Sequence, residues 1–308
     1  MQQEYFYSNG KLLLSGEYLV LYGAKALALP LKLGQDLIVE HFHSNEKKTI
    51  QWRSFEFNKS WFEMEVCMED FSIQKTTDLK IANQLINCLQ KAKELNPAFL
   101  KKEQNMVVRT NLAFKKEWGL GSSSTLIKNI ADWANIDPYK LLNLTFGGSG
   151  YDIACASASQ PIFYQRNEDE ISVEKAAFNP KFKEYLYFVY TGRKQNTSKS
   201  VVDFREMDKP SSNLIGEISH IGEIMVQTSS LDEFNKCIQS HENMMSSVLK
   251  LKPIKKERFS DFDGEIKSLG AWGGDFMMAT SEADFSSIKN YFHKMGLNTI
   301  FKYSDLIK

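Results

Sequence analysis

Apolar positions along the chain alternate between two periods. Short β-rich runs at residues 11–14, 26–29, 37–43 and 49–53, punctuated by Gly10, Gly16, Gly23 and Gly34, predict strands through the first third. From Asp78 to Leu95 the period lengthens. Leu79, Ala82, Leu85, Ile86 and Leu89 fall at helical spacing, and Thr76 or Thr77 is placed to cap the start. Residues 106–112 return to alternation, and a glycine-serine run at 119–125 leads into a helical face carrying Leu126, Ile130 and Trp133. A small-residue helix, DIACASAS, ends before Pro161, and IFYQ reads as the next strand. The polar stretch 166–183, with Asn179 and Pro180, predicts a hairpin and then a junction. Beyond it come a strand at 185–190 and helical patterns within 214–226, 231–249 and 254–269. A glycine turn at 270–274, a strand at 276–279, a helix at 285–295 and a strand at 299–303 complete the chain. Strands alternating with helices in both halves predict an α+β chain of two domains, 1–182 and 183–308, that share a cleft.

Composition narrows the class. The 308 residues, 43% hydrophobic and 25% charged, are ordinary for a globular protein, and the length fits about two domains of ~150 residues. The 38 basic residues equal the 38 acidic ones, which removes the simplest case for a nucleic-acid or membrane-surface binder. Four scattered cysteines, with no C-x-x-C and no grouping with the five histidines, predict free thiols in a reducing compartment. The opening MQQEYFYSNG lacks the pattern of a secretory leader, and the apolar stretch 12–31 is interrupted by Glu17, two glycines and Lys25. A soluble, cytoplasmic protein is expected.

Three segments carry chemistry. In GLGSSST (119–125), Gly119, Leu120, Gly121, Ser122, Ser123 and Ser124 lie between a predicted strand and a predicted helix. Glycines there permit several backbone N–H groups to converge on a phosphate, and the helix start adds about half a positive charge. The string is neither a Walker A loop nor a dinucleotide fingerprint, and a flexible turn with a serine cap explains it equally well. In GKLLLSGEY (10–18), Lys11 enters an apolar strand, where a partner carboxylate or an edge position that reaches water accounts for it. In GGSGYDIA (147–154), Asp152 lies in the first turn of a helix after three glycines and Ser149; complementing the helix dipole is its ordinary explanation.

Together with GAWGGDF (270–276), these segments resemble, in order and wide spacing over nearly the whole chain, the motifs of the GHMP kinases. GKLLLSGEYLVLYG resembles motif 1, GLGSSST motif 2 and GAWGGDFMMA motif 3. GSGYDIACA and TGRKQNTSKSV (191–201) resemble segments of the phosphomevalonate kinase branch, close to mevalonate kinase, and the GYDIA string is similar to a bacterial group named for it. The resemblance implies an N-terminal domain like domain 2 of ribosomal protein S5, a ferredoxin-like C-terminal domain, and ATP with Mg²⁺ as cofactors. It places Asp152 on the catalytic aspartate, Lys11 on the lysine that pairs with it, and Ser123 on the Mg²⁺-ligating serine. Glu17 and Tyr18 fall on the acceptor-side turn, and Gly270, Gly273 and Gly274 on the loop that closes over phosphates. Ser149, Arg193, Lys194, Thr197 and Ser198 are the candidates for holding an anionic acceptor, and an exposed polar loop explains the last four equally well.

The chain also departs from the pattern. Trp272 replaces a motif 3 glycine, and no acid precedes Asp152 where mevalonate kinases carry a Mg²⁺-binding glutamate, which leaves water, Asp137 or another residue to complete the metal shell. The function implied is phosphorylation of phosphomevalonate or mevalonate. A sugar or homoserine-type kinase, a diphosphomevalonate decarboxylase and a non-catalytic ligand-binding homologue remain open. The expected partner is a small-molecule acceptor, with no nucleic acid and no membrane; oligomeric state stays open, a homodimer included.

Overall fold

The computed structural model describes residues 3–42, 48–101, 105–167, 170–193, 197–272 and 274–308, with the side chains of 197–199 excepted. In chain order its elements are β1 (Gln3–Ser15), β2 (Ala26–Phe42), β3 (Thr49–Glu56), β4 (Lys59–Cys67), β5 (Ile73–Thr76), α1 (Leu79–Leu95), β6 (Asn105–Leu112), α2 (Ser122–Ala134), α3 (Pro138–Thr145) and α4 (Tyr151–Ser157). There follow β7 (Ile162–Asn167), β8 (Glu170–Lys175), β9 (Leu186–Tyr190), α5 (Thr197–Arg205), α6 (Ser212–Gln227), α7 (Leu231–Leu249), α8 (Ile254–Arg258), β10 (Glu265–Ser268), β11 (Phe276–Thr280), α9 (Phe285–Lys294), β12 (Ile300–Lys302) and α10 (Tyr303–Leu306). No helix among the described residues is long and apolar enough to cross a membrane.

By contacts the chain forms two compact units, each assembled from several segments. The first comprises residues 1–10, 33–116 and 120–157. Its strands run in the order β5-β4-β3-β6-β2, antiparallel except for the parallel pair β3–β6. Alternation along β6 buries Met106, Val108, Thr110 and Leu112, and the helical spacing of α1 buries Ala82, Leu85, Ile86, Leu89 and Ala92. Met106, Val108 and the α1 residues join Trp52, Phe62, Ile127, Ile130 and Leu141 in one apolar core, so α1, α2 and α3 pack as a layer on the sheet.

The second unit comprises residues 11–32, 117–119 and 158–308. Its antiparallel sheet has the order β10-β11-β9-β12. Counted along the chain this is strand order 2-3-1-4, with α5 to α8 in the first crossover and α9 in the second. That is the ferredoxin-like arrangement expected. Phe259, Phe262, Phe292, Tyr187 and Met277 fill the core between this sheet and its helices.

Several elements differ from the sequence expectation. The first two strand runs are far longer than predicted, because β2 continues through Pro30 and Gly34 and pairs with β7 at 26–28 and with β6 at 35–42. The β4–β5 pair was not predicted; β4 buries Phe62, Met64 and Val66 between polar residues, and the four-residue β5 buries none. Asp78, not Thr76 or Thr77, caps α1, accepting from the Ile81 N–H at 3.1 Å, while both threonine hydroxyls bond the Glu63 carbonyl. The helical pattern at 254–269 yields only one turn and a half of helix and then β10. Gly264 is the reason: its φ is +132°, and a Cβ there would lie 1.7 Å from the Thr280 carbonyl, so the chain turns and packs onto β11.

Gly34 marks a second close approach, since its Cβ would lie 2.3 Å from the Ser8 carbonyl oxygen and 2.5 Å from the Tyr7 hydroxyl. Gly34→Ala is expected to destabilise the protein by on the order of 1–3 kcal/mol through overpacking against backbone. Urea unfolding measures this, and an unchanged midpoint would contradict the close β1–β2 contact.

Candidate functional site

The first motif ends β1 and turns sharply. Gly16 has φ +86°, and a Cβ there would come within 2.8 Å of the Ala26 Cβ, so only glycine lets the turn lie on β2. Lys11, half-buried, donates from Nζ to the Gly119 carbonyl at 2.9 Å. Tyr18 holds a left-handed backbone at φ +60°. Burial raises its phenol above the usual range, although hydrogen bonds with Ser200 and the Trp272 backbone pull the other way.

Glu17 is not open to a ligand in this structure. Its carboxylate has no solvent exposure and lies 2.6 Å from Lys267 Nζ and 3.1 Å from His241 Nε2, so the expectation of an acceptor-side acid changes to that of a buried ion pair. Lys267 also approaches Glu242 at 3.8 Å, and the Ser268 hydroxyl donates to Glu242 at 3.4 Å. Burial opposes ionisation of Glu17, but Lys267 and His241 outweigh it and hold its carboxyl below the ordinary value. Burial, reinforced by Lys267, lowers the His241 value against the pull of Glu17. Burial pushes Glu242 up to about 8, with Glu17 adding to the rise and Lys267 resisting it. At neutral pH the group therefore carries one anion and one cation, with His241 and Glu242 neutral. Sequence reading did not identify Lys267, His241 or Glu242 as partners of Glu17. The available signal was that His241 shares a helical face with Cys237, Ile238 and Met245, a polar residue on a buried stripe.

The second motif begins at Gly119 (φ +71°) and Gly121 (φ +96°), both in the left-handed region. Gly121 stands at the N-cap of α2, and no side chain caps that end. The hydroxyls of Ser124 and Thr125 instead return to the Gly121 carbonyl at 2.9 and 3.0 Å, and Thr125 also donates to Gln35 at 2.7 Å. Ser124 and Leu120 are buried, so only their backbone could serve a ligand; Ser122 is half-buried and Ser123 is exposed.

In the third motif Gly270 has φ +65° and open space where a Cβ would be. Gly274 is buried, and Gly273 lies outside the described residues. Trp272 is 4% exposed and packs with Leu19, Phe204 and Met245, so its ring belongs to a core cluster. Asp275, which the sequence reading did not place in the site, has φ +53°, and its carboxyl occupies the space a Gly119 Cβ would need, 2.4 Å from that position. Its N–H donates to the Arg193 carbonyl at 2.7 Å, and its carbonyl accepts from the Thr191 N–H at 2.8 Å. Arg193 is exposed; Lys194 lies outside the described residues, and Thr197 and Ser198 begin α5, whose backbone alone is described there.

Asp152 is half-buried in the first turn of α4, and its Oδ1 accepts from the adjacent Ile153 N–H at 3.2 Å. Gly147, Gly148 and Gly150 before it all have positive φ, and a Cβ on either of the first two would meet nothing within 4 Å. Ser149 is half-buried among them. The helix α4 packs directly against α2. Tyr139 of α3 feels this acid: burial, with Asp137, Asp152 and Cys155 adding, raises its phenol to about 12. Asp137, a candidate for the metal shell, caps α3 by accepting from the Tyr139 N–H at 2.8 Å. Among the described residues no group of three His, Cys, Asp or Glu side chains is arranged to hold a metal ion.

No protein-family model matches the sequence, and no curated protein matches it. Solved structures do. Mevalonate kinase of L. major, in complex with R-mevalonate, aligns over 97% of this chain and 94% of its own at a TM-score of 0.69 and 16% identity. Streptococcus pneumoniae phosphomevalonate kinase, in complex with phosphomevalonate and AMPPNP, aligns over 97% and 99% at 0.69 and 15%. Lactococcus lactis galactokinase, complexed with galactose, aligns over 97% and 92% at 0.68 and 12%. The fold is the two-domain α+β fold of the GHMP kinases.

The buried charge cluster makes a pH-dependent prediction. An unfolded chain releases the Glu242 proton near the ordinary 4.5, whereas the folded chain holds it to about 8, so stability falls as pH rises through that window and levels off above it. Glu242→Gln removes the slope. The variant is expected to match the parent near pH 4 and to exceed it by on the order of a few kcal/mol at pH 8. Denaturant unfolding across pH checks this, and parallel curves for the two proteins would refute it.

Proposed function

We propose that this protein is an ATP- and Mg²⁺-dependent small-molecule kinase acting on phosphomevalonate or mevalonate. The supporting observation is the start of α2: two left-handed glycines lead to an uncapped helix end, and α2 packs against the helix that carries Asp152. N–H groups at 121–124, which no side chain caps, and the positive end of a 13-residue helix fit the β- and γ-phosphates of a nucleotide. The exposed hydroxyl of Ser123 fits a Mg²⁺ ligand, while Ser124, bonded to the Gly121 carbonyl, keeps the loop in shape.

ATP would supply the phosphoryl group, and Mg²⁺ would offset its charge. The residues of the chain position and neutralise. Lys11, fixed on the Gly119 carbonyl, places a cation at the base of the phosphate loop. Asp152 would orient the acceptor oxygen and take its proton, and the open space at Gly147 and Gly148 leaves room before that acid. In this reading Arg193, with Lys194 and the α5 start at Thr197 and Ser198, supplies charge and hydrogen bonds to an anionic acceptor. Glu17 has no contact role; its pairing with Lys267 fixes the turn from which Tyr18 projects.

The acceptor is the finer part of the proposal, and it rests on the TGRKQNTSKSV and GSGYDIACA strings. A coupled ADP-release assay across mevalonate, phosphomevalonate, homoserine and galactose tests it. Turnover with one of the first two is expected. Turnover with galactose or homoserine alone would move the chain to another branch, and nucleotide binding without any turnover would favour a non-catalytic protein. Asp152→Ala is expected to lower kcat by on the order of 10²–10⁴-fold with nucleotide affinity nearly unchanged. A near-parental kcat would remove Asp152 from the mechanism.

A further inference from the structure

A cavity lies in the first unit, away from the phosphate loop. It has a volume of about 170 Å³, well above the roughly 10–15 Å³ that one water requires. Its walls include Asn96, the C-cap of α1, and Asn135, the left-handed C-cap of α2. The phosphate loop begins α2 and this cavity lies at its other end, about 20 Å along a helix of 13 residues. The two are separate places on one element.

We propose that this cavity binds a small organic ammonium ion of the alkylamine class. Four features of its lining favour a cation with N–H donors. Two helix C-termini meet there, and each carries about half a negative charge. Glu4 adds a carboxylate. Phe99 and Trp133 stand edge to face, with centroids 4.8 Å apart and planes at 85°, and a cation over an aromatic face is attracted to it.

The fourth feature is His41, which is 6% exposed and lines the same cavity. Its Nε2 lies 3.0 Å from Glu4 Oε1, while its Nδ1 is buried with no hydrogen-bond partner among the described residues. In the neutral ring an Nε2–H that donates to Glu4 leaves Nδ1 as an acceptor. A buried acceptor without a donor is costly, and an ammonium N–H satisfies it while Glu4 balances the charge. An anion would face the carboxylate and both helix ends, and an apolar guest would leave Nδ1 unpaired. The structural alternative is a cavity holding only water.

The test uses the full chain with n-butylammonium chloride and 1-butanol as probes of matched size. Titrations follow the ¹⁵N-indole resonance of Trp133, assigned with Trp133→Phe. Butylammonium is expected to shift that resonance saturably, with affinity at least about tenfold above that of butanol and about tenfold above that for Glu4→Gln. Turnover in the ADP-release assay is expected to be the same in Glu4→Gln as in the parent. Equal response to both probes, no saturable shift with butylammonium, or unchanged affinity in Glu4→Gln would overturn the proposal. The comparison of probes on the parent protein decides the matter even if the variant folds poorly.

Discussion

Three segments far apart in sequence meet at one missing side chain. Gly119 has no Cβ, and the Asp275 carboxyl fills that space, while the Gly119 carbonyl accepts from Lys11 Nζ. A strand end, a loop start and the third motif are thereby held to one residue. The left-handed backbone at Gly119, and again at Gly121, then directs the chain into α2 with its first amides uncapped. Any residue with a Cβ at 119 would have to displace a nearly buried carboxyl and also bear a strained φ, so the constraint is steric before it is chemical.

A second constraint is electrostatic. Glu17 and Lys267 are both fully buried, and such a pair is tolerable only when each charge has its partner. His241 and Glu242 complete the group without adding net charge, because burial favours the neutral form of each. The pair ties the first-motif turn to β10 and α7. Tyr18, one residue on, is in turn bonded to Ser200 and the Trp272 backbone. The turn is thus held by interactions that no ligand supplies.

The helix α2 carries the division of labour further. No side chain caps its first turn, whose N–H groups suit anions, and its last turn ends at a cavity lined by a carboxylate, an imidazole nitrogen with no partner among the described residues, and two aromatic rings. Opposite ends of one helix dipole suit ligands of opposite charge.

Locally determined features were legible in the sequence. The helical periods of α1 and α7, the alternation of β6 and the glycines of the 119–125 loop follow from interactions within a few residues, where periodicity and φ preference act. Tertiary structure decided the rest. The pattern at 254–269 reads as helix until Gly264 is pressed onto the Thr280 carbonyl, and β2 reads as two strands until its partners are known. Lys267 and Glu17 lie 250 residues apart, and Asp275 lies 156 residues beyond the Gly119 it meets. No local spacing encodes such contacts, because they depend on how the sheet and helices stack. For that reason Glu17 read as a ligand-facing acid in the sequence and is a buried partner in the structure.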